Sequence, residues 1–298
     1  MKQTFFYLVC LLAVASLIAG CSVLPSPKTA QTSQPSQTSS TTTVPTTGPS
    51  PTATISTPSV VTVGAPATEA PTATVTPVPS KTPKPTATAK YAPQVKTANF
   101  VKAIDNPYFP LTPGTTLLYD GTKDTSKLIS QTIVTKKTRK IMGVTCIEVD
   151  TSLTVDDKVT QKTIDWYSQD KSGSVWTFGE SVSAYSTAGK VTSTKGSWVA
   201  GSNGALPGII MQAVPSTDLT YRQDYNKGHN EDMAQVLSLN ESVTGTSASY
   251  TNVLEIKEWS PLQPTIVYNK WYAKGVGLIM TKEVQGGTLE LQLTEVTK

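Results

Sequence analysis

From about residue 115 onward, apolar and polar residues alternate in short runs. Leu289, Leu291 and Leu293 alternate with Glu290, Gln292 and Thr294, the period of two that a half-buried strand imposes. Leu254 and Ile256 alternate in the same way with Glu255, Lys257 and Trp259, and Ile164 and Trp166 with Thr163, Asp165 and Tyr167. Helical periodicity is scarce. The pattern predicts strands at roughly 115–120, 127–138, 143–155, 159–169, 174–179, 190–198, 219–225, 233–241, 250–259, 265–274, 277–284 and 288–296. Asp156-Asp157, Asp170-Lys171-Ser172-Gly173, Ala188-Gly189 and Gly286-Gly287 supply turn chemistry between them. Connections this short join antiparallel neighbours, because a parallel pair needs a long crossover. The reading is an all-β domain: an antiparallel meander forming a strongly curled sheet or open barrel. Gly196 to Pro215, rich in glycine and proline, reads as the longest loop, and a short helix is expected near Phe100 to Ile104.

The preceding stretch has no such pattern. Between Ser22 and Lys90, 42 of 69 positions are Ser, Thr or Pro and none is aromatic, so too little apolar surface exists to offset the entropy of ordering it. Proline restricts its own φ and the residue before it, which favours extended, unpaired backbone. At about 3.1 Å per residue the contour approaches roughly 200 Å. Residues 21–95 therefore read as a disordered stalk, and 96–298 as one β-domain of a size that buries a substantial core.

At the N-terminus, Met1 and Lys2 precede an apolar run from Phe5 to Ala19, broken only by Ser16. That is the layout of a secretory signal peptide over residues 1–20, too short to cross a bilayer core and lacking a stop-transfer cluster. Leu17-Ile18-Ala19-Gly20-Cys21 resembles the lipobox of bacterial lipoproteins. The resemblance implies cleavage before Cys21 and a diacylglycerol thioether on its sulfur. Acyl chains at roughly 0.8 kcal/mol per buried CH₂ would hold the mature chain on a membrane, outside the cytoplasm.

Charge narrows the function classes. Residues 1–95 carry five lysines and one acid, Glu69, whereas 96–298 carry 20 basic and 20 acidic groups. A neutral domain with one histidine and one cysteine is not built to bind nucleic acid and has no disulfide scaffold.

Several segments together resemble a family of secreted or lipid-anchored bacterial β-domains without established activity, over about residues 100–285. They are Asn106-Pro107-Tyr108-Phe109-Pro110-Leu111, Asp165-Trp166-Tyr167 with Gln169-Asp170, Phe178-Gly179-Glu180, Pro207-Gly208-Ile209-Ile210-Met211 and Trp271-Tyr272-Ala273-Lys274-Gly275-Val276-Gly277-Leu278. The last segment is also similar to envelope β-proteins related to the lipoprotein-carrier fold. That similarity implies a curled sheet around an apolar cavity.

Catalytic motifs are absent: no phosphate loop, CxxC pair, serine elbow or HExxH occurs. His229 lies beside Glu231 and Asp232, but one imidazole in a polar turn falls short of a metal site. Neither a metal nor a cofactor is expected, and no catalytic residue is assigned. Asp156 with Asp157, Asp165 with Asp170, and Glu231 with Asp232 are the carboxylate pairs that a hydrolase of extracellular polymer would use, and each also suits a turn or strand edge. Cys146, in an apolar strand, reads as core. Aromatic density is the remaining signal. Trp166, Tyr167, Trp176 and Trp198, followed by Tyr221 and Tyr225, are the expected ligand-binding residues on a concave face. The expected role is a non-enzymatic envelope binding module for a lipid, glycan or protein ligand, with a structural or protein-interaction domain as the alternative and an extracellular hydrolase using paired carboxylates as the second.

Overall fold

The computed structural model describes residues 90–298. Cys21, the leader and nearly all of the expected stalk lie outside the described residues. Sixteen strands account for most of the rest. They are β1 (Phe100–Val101), β2 (Thr116–Lys123), β3 (Ser126–Ile141), β4 (Val144–Val155), β5 (Lys158–Asp170), β6 (Val175–Tyr185), β7 (Val191–Ser193) and β8 (Trp198–Val199). Then come β9 (Leu206–Met211), β10 (Thr220–Arg222), β11 (Asp224–Tyr225), β12 (Met233–Thr244), β13 (Ser249–Ser260), β14 (Gln263–Ala273), β15 (Gly277–Gln285) and β16 (Glu290–Thr297).

All pairings are antiparallel, in the order β10-β12-β13-β14-β15-β16-β2-β3-β4-β5-β6-β9-β11. The meander is thus all-β, as the alternation predicts, and nearly closes into a barrel. Closure falls on one short segment. Thr220–Arg222 pairs with β12, while Asp224–Tyr225 pairs with β9 on the other edge. Between them Gln223 donates its backbone N–H to the Asp232 carbonyl at 2.9 Å. Gly208 on β9 is required at this seam, since a Cβ there would lie 2.4 Å from the Gln223 carbonyl.

Two-residue turns set the register. Met142-Gly143 joins β3 to β4 and Asp156-Asp157 joins β4 to β5, with all four residues at positive φ, the geometry whose twist matches a hairpin. The Asp156 carboxylate secures its turn by accepting from the Lys127 N–H at 2.9 Å and the Ser126 hydroxyl at 2.8 Å.

Three expectations are corrected. Gly196–Pro215 is not one loop: it contains β8 and the barrel strand β9, concealed by Pro207 and by a glycine retained for close approach. No helix forms near Phe100. A 3₁₀ turn at Thr97–Asn99 leads into β1, which pairs with Asp170 and Gln169 of β5. The 219–225 strand breaks at Gln223, because its two halves serve opposite edges of the sheet.

The barrel interior holds two contiguous clusters. One includes Val134, Val149, Val236, Leu254, Ile256 and Tyr272, and the other Leu117, Leu128, Leu153, Leu289, Leu291 and Leu293. Each such side chain contributes roughly 1.5–3 kcal/mol by leaving water. A third cluster, with Ile141, Cys146, Trp166, Phe178 and Trp198, lies on the other face of β5 and β6. Val95 and Phe100 pack against it, so the chain joins the domain slightly before residue 96. The Tyr91 hydroxyl likewise donates to the Pro207 carbonyl at 2.8 Å.

Candidate functional site

Strand alternation decides which side chains enter the barrel. On β5, Gln161, Thr163, Asp165 and Tyr167 face inward, and Ile164 and Trp166 face the outer cluster. Because that outer face is also covered, the apolar set does not need the interior, and the polar set occupies it. On β14, Lys270 and Tyr272 face inward. On β4 and β3, Thr151 and Thr132 stand in register with Thr163 and form a row of hydroxyls across three strands, with Thr132 and Thr151 3.2 Å apart.

These side chains surround a cavity of about 150 Å³. At roughly 10–15 Å³ per water, it holds about ten waters, or one ligand with a similar number of non-hydrogen atoms. Its walls divide by chemistry. Leu117, Val149, Leu153, Leu278 and Leu291 are apolar, while Asp165, Glu180 and Lys270 are ionisable.

A bulge places Glu180 inside. Asp165 pairs with Glu180, Trp166 with Gly179 and Tyr167 with Thr177, so Phe178 is the extra residue. Phe178 turns into the outer cluster, Glu180 lines the cavity, and Thr177 stands opposite the inward-facing Tyr167. Gly179 permits this with a φ of 155°, and a Cβ there would lie 2.7 Å from the Trp198 carbonyl.

Lys270 forms an ion pair with Glu258, whose other oxygen accepts from the Gln223 side chain at 2.8 Å. All three residues are buried. Burial pushes the Asp165 carboxyl up to about 7, against the opposing pull of the Lys270 charge and a hydrogen bond from Tyr167. Behind the cavity wall burial likewise raises Asp224 to about 7, and raises Asp232 well above the ordinary carboxylate range.

The segment Asn106–Leu111 caps the cavity. Phe109, Pro110 and Leu111 line it, and the Phe109 ring packs edge-on against Tyr167, with centroids 5.3 Å apart, and tilted against Tyr272 at 6.4 Å. Asn106 anchors the segment, donating to the Gly173 carbonyl at 2.8 Å and the Gln212 carbonyl at 3.0 Å, and accepting from the Tyr108 N–H. The Gln169 side-chain oxygen accepts from the N–H groups of Asp105 and Asn106, each at 2.9 Å. Gly275 donates its N–H to the Pro107 carbonyl at 2.7 Å, which fastens the cap to the hairpin between β14 and β15. Three of the segments singled out in the sequence, around Asn106, Asp165 and Tyr272, thus meet at one end of the barrel.

Of the six aromatics expected to bind ligand, Tyr167 lines the cavity. Trp166 and Trp198 pack in the outer cluster, where the Arg139 guanidinium lies 4.1 Å from the Trp166 ring. Trp176 donates its indole N–H to Asp170 at 2.8 Å and packs on Phe100. Tyr221 is in the main core, and Tyr225 lies against Tyr91 and Arg222. The cavity aromatics that sequence reasoning missed are Phe109, Tyr119 and Tyr272. Lys270 carried a readable signal, since it sits on the same face of its strand as Ile266, Tyr268 and Tyr272.

The sequence-named carboxylate pairs do not converge. Asp156 and Asp157 form a hairpin turn, and Asp170 holds another turn through the Ser172 and Ser174 N–H groups. Glu231 accepts from the Gly228 N–H and lies 3.9 Å from Arg222. His229 is exposed, and among the described residues no three His, Cys, Asp or Glu side chains gather as metal ligands. Burial pushes the Cys146 thiol up to about 12, leaving it unreactive.

No family model and no curated protein matches the chain. Among solved structures, a candidate lipoprotein from Parabacteroides distasonis is similar at 14% identity, with a TM-score of 0.39, over 64% of this chain and 99% of its own. At that level of similarity nothing is carried over to this chain.

Proposed function

We propose that this chain is a lipid-anchored cell-envelope protein, held off its membrane by the Thr/Ser/Pro-rich stalk, whose β-domain is a binding module for one small amphipathic molecule. The cavity is the observation that carries this reading. A domain with a purely structural role gains nothing from interior space: voids forfeit contacts, and buried charges cost more than they return unless something uses them. Here Lys270, Asp165 and Glu180 face that space together with aliphatic and tyrosine walls, the mixture of apolar surface and few polar groups that ligand sites have. The anchor rests on the Leu17–Cys21 pattern. No helix of the described residues is long and apolar enough to cross a membrane.

The binding half is tested by native mass spectrometry and thermal-shift measurements on the full-length chain carrying Cys21→Ala, purified without detergent. A co-purifying small molecule, or a rise in Tm with short-chain amphipaths, is expected. Neither would be seen if the domain were only a scaffold. The anchor is tested by fractionation: the Cys21→Ala chain leaves the membrane fraction, and its retention there would overturn that half.

A further inference from the structure

We propose that the cavity takes an uncharged amphipath whose head carries hydroxyl groups, an alkyl diol in outline, and that Ser130 and the row Thr132, Thr151 and Thr163 bind that head. The inference deepens the proposed function and rests on it.

Thr132 on β3, Thr151 on β4 and Thr163 on β5 stand in register, and all three line the cavity. Hydroxyls turned into a barrel interior need hydrogen-bond partners, and the protein supplies only some of them. Thr132 and Thr151 bond each other at 3.2 Å, so one donates, and the other keeps its proton for a further bond. Thr163 accepts from the Gln161 side chain at 3.1 Å and likewise retains a proton to donate. Ser130, two residues before Thr132 on the same strand, is 3% exposed and lines the cavity, and its hydroxyl makes no hydrogen bond to another described residue. The hydroxyl of Thr281 on β15, 2% exposed, is in the same condition and lines the same space. Buried polar groups left without a bond are costly, and a molecule entering the cavity meets them.

The chemistry of the row sets the class of the head. A ligand hydroxyl both donates and accepts, as these side chains do, so a bond forms whichever way each of them turns. Three hydroxyls side by side offer more bonds than a single alcohol uses, which favours two adjacent hydroxyls on the ligand. A charged head gains less, because neutral hydroxyls offset only part of the hydration that an ion gives up, and the Lys270 ammonium is already engaged by Glu258. Leu117 stands beside Thr132 in register on β2 and begins an aliphatic wall with Leu278 and Leu291. That wall receives the apolar body, and space for about ten non-hydrogen atoms limits its length.

The test uses three probes of similar size, hexane-1,2-diol, hexylammonium and hexanoate, titrated calorimetrically into the full-length Cys21→Ala chain at neutral pH. The diol is expected to bind about tenfold more tightly than either ion. Thr132→Val/Thr151→Val replaces both partners of one hydrogen bond by apolar groups of the same shape, a change that leaves folding nearly intact. Its Tm is expected to stay close to that of the parent, while its affinity for the diol falls about tenfold. Ser130→Ala removes a hydroxyl without a partner among the described residues, and a fall of about threefold is expected there even if the double variant does not fold. Should either ion match the diol on the unaltered cavity, or should the folded variants bind the diol as the parent does, the hydroxyl-bearing class is wrong while the binding module stands. If none of the three probes binds, the binding module itself is wrong and this inference goes with it.

Discussion

Asp165 and Glu180 face each other across β5 and β6 and both line the barrel cavity. Like charges directly opposite one another destabilise a sheet, and placing them in a water-poor interior raises the cost. The domain meets part of that cost by holding protons, and this makes its stability depend on pH.

Asp165 stands opposite Glu180 of β6; the Lys270 charge on β14 pulls its pKa down, the Asp150 charge on β4 raises it, and it accepts from Tyr167 on its own strand. Its folded-state pKa of about 7 lies above that of an unfolded aspartate, as does that of Asp224. The folded state therefore keeps these protons to higher pH than the unfolded chain does. Unfolding free energy must fall as pH rises from about 4 to 7, by at most about 1.4 kcal/mol per pH unit per group. Thermal melts at about pH 5 and 7.5 should show the lower Tm at the higher pH, with a shallower dependence in Asp165→Asn. A Tm that climbs through this window would contradict the assignment.

The ion pair of Lys270 and Glu258 gives a second prediction. Lys270→Met leaves a buried carboxyl without its partner and should cost about 3–5 kcal/mol in urea unfolding. The double variant Lys270→Met/Glu258→Gln should recover much of that loss. Additive losses in the double-mutant cycle would mean that the two groups are not coupled.

Gly179 permits the bulge that sends Phe178 outward and keeps Glu180 inside. An alanine there meets the Trp198 carbonyl at 2.7 Å and must hold a φ of 155°, so Gly179→Ala should destabilise by about 1–3 kcal/mol or more. A neutral effect in denaturant unfolding would show that the bulge tolerates a side chain.

Phe109 closes one end of the cavity against Tyr167 and Tyr272. Being only partly buried, it should cost less than the about 3–5 kcal/mol of a core phenylalanine when cut to alanine. Phe109→Ala should also speed release of a bound probe several-fold in stopped-flow dissociation, and an unchanged off-rate would remove Phe109 from the ligand path.

Much of the fold was legible because period-two alternation survives in β2 to β6 and β12 to β16. Where it failed, local demands outweighed it. Gly208 in β9 is set by the seam with Gln223, and the break at Gln223 by two edges competing for one segment. The site was less legible. Alternation separates two faces without saying which is inside, and on β5 the apolar face with Trp166 is the outer one, because β8 and Phe100 cover it. Glu180 could not be placed by counting, since the bulge at Phe178 resets the count. Of the aromatics that the sequence names, Tyr167 shares the inward face with Asp165, whereas Trp166 and Trp198 belong to the covered outer face.

The central claim is that the barrel interior binds a small amphipath. Methyl-labelled spectra of the full-length Cys21→Ala chain titrated with hexane-1,2-diol locate such binding directly. The account predicts saturable shifts for the methyl groups of Val149, Leu153, Leu278 and Leu291, which line the cavity, with Ile141 and Val144 of the outer cluster unmoved. Shifts confined to the outer cluster, or none at saturating probe, would contradict it.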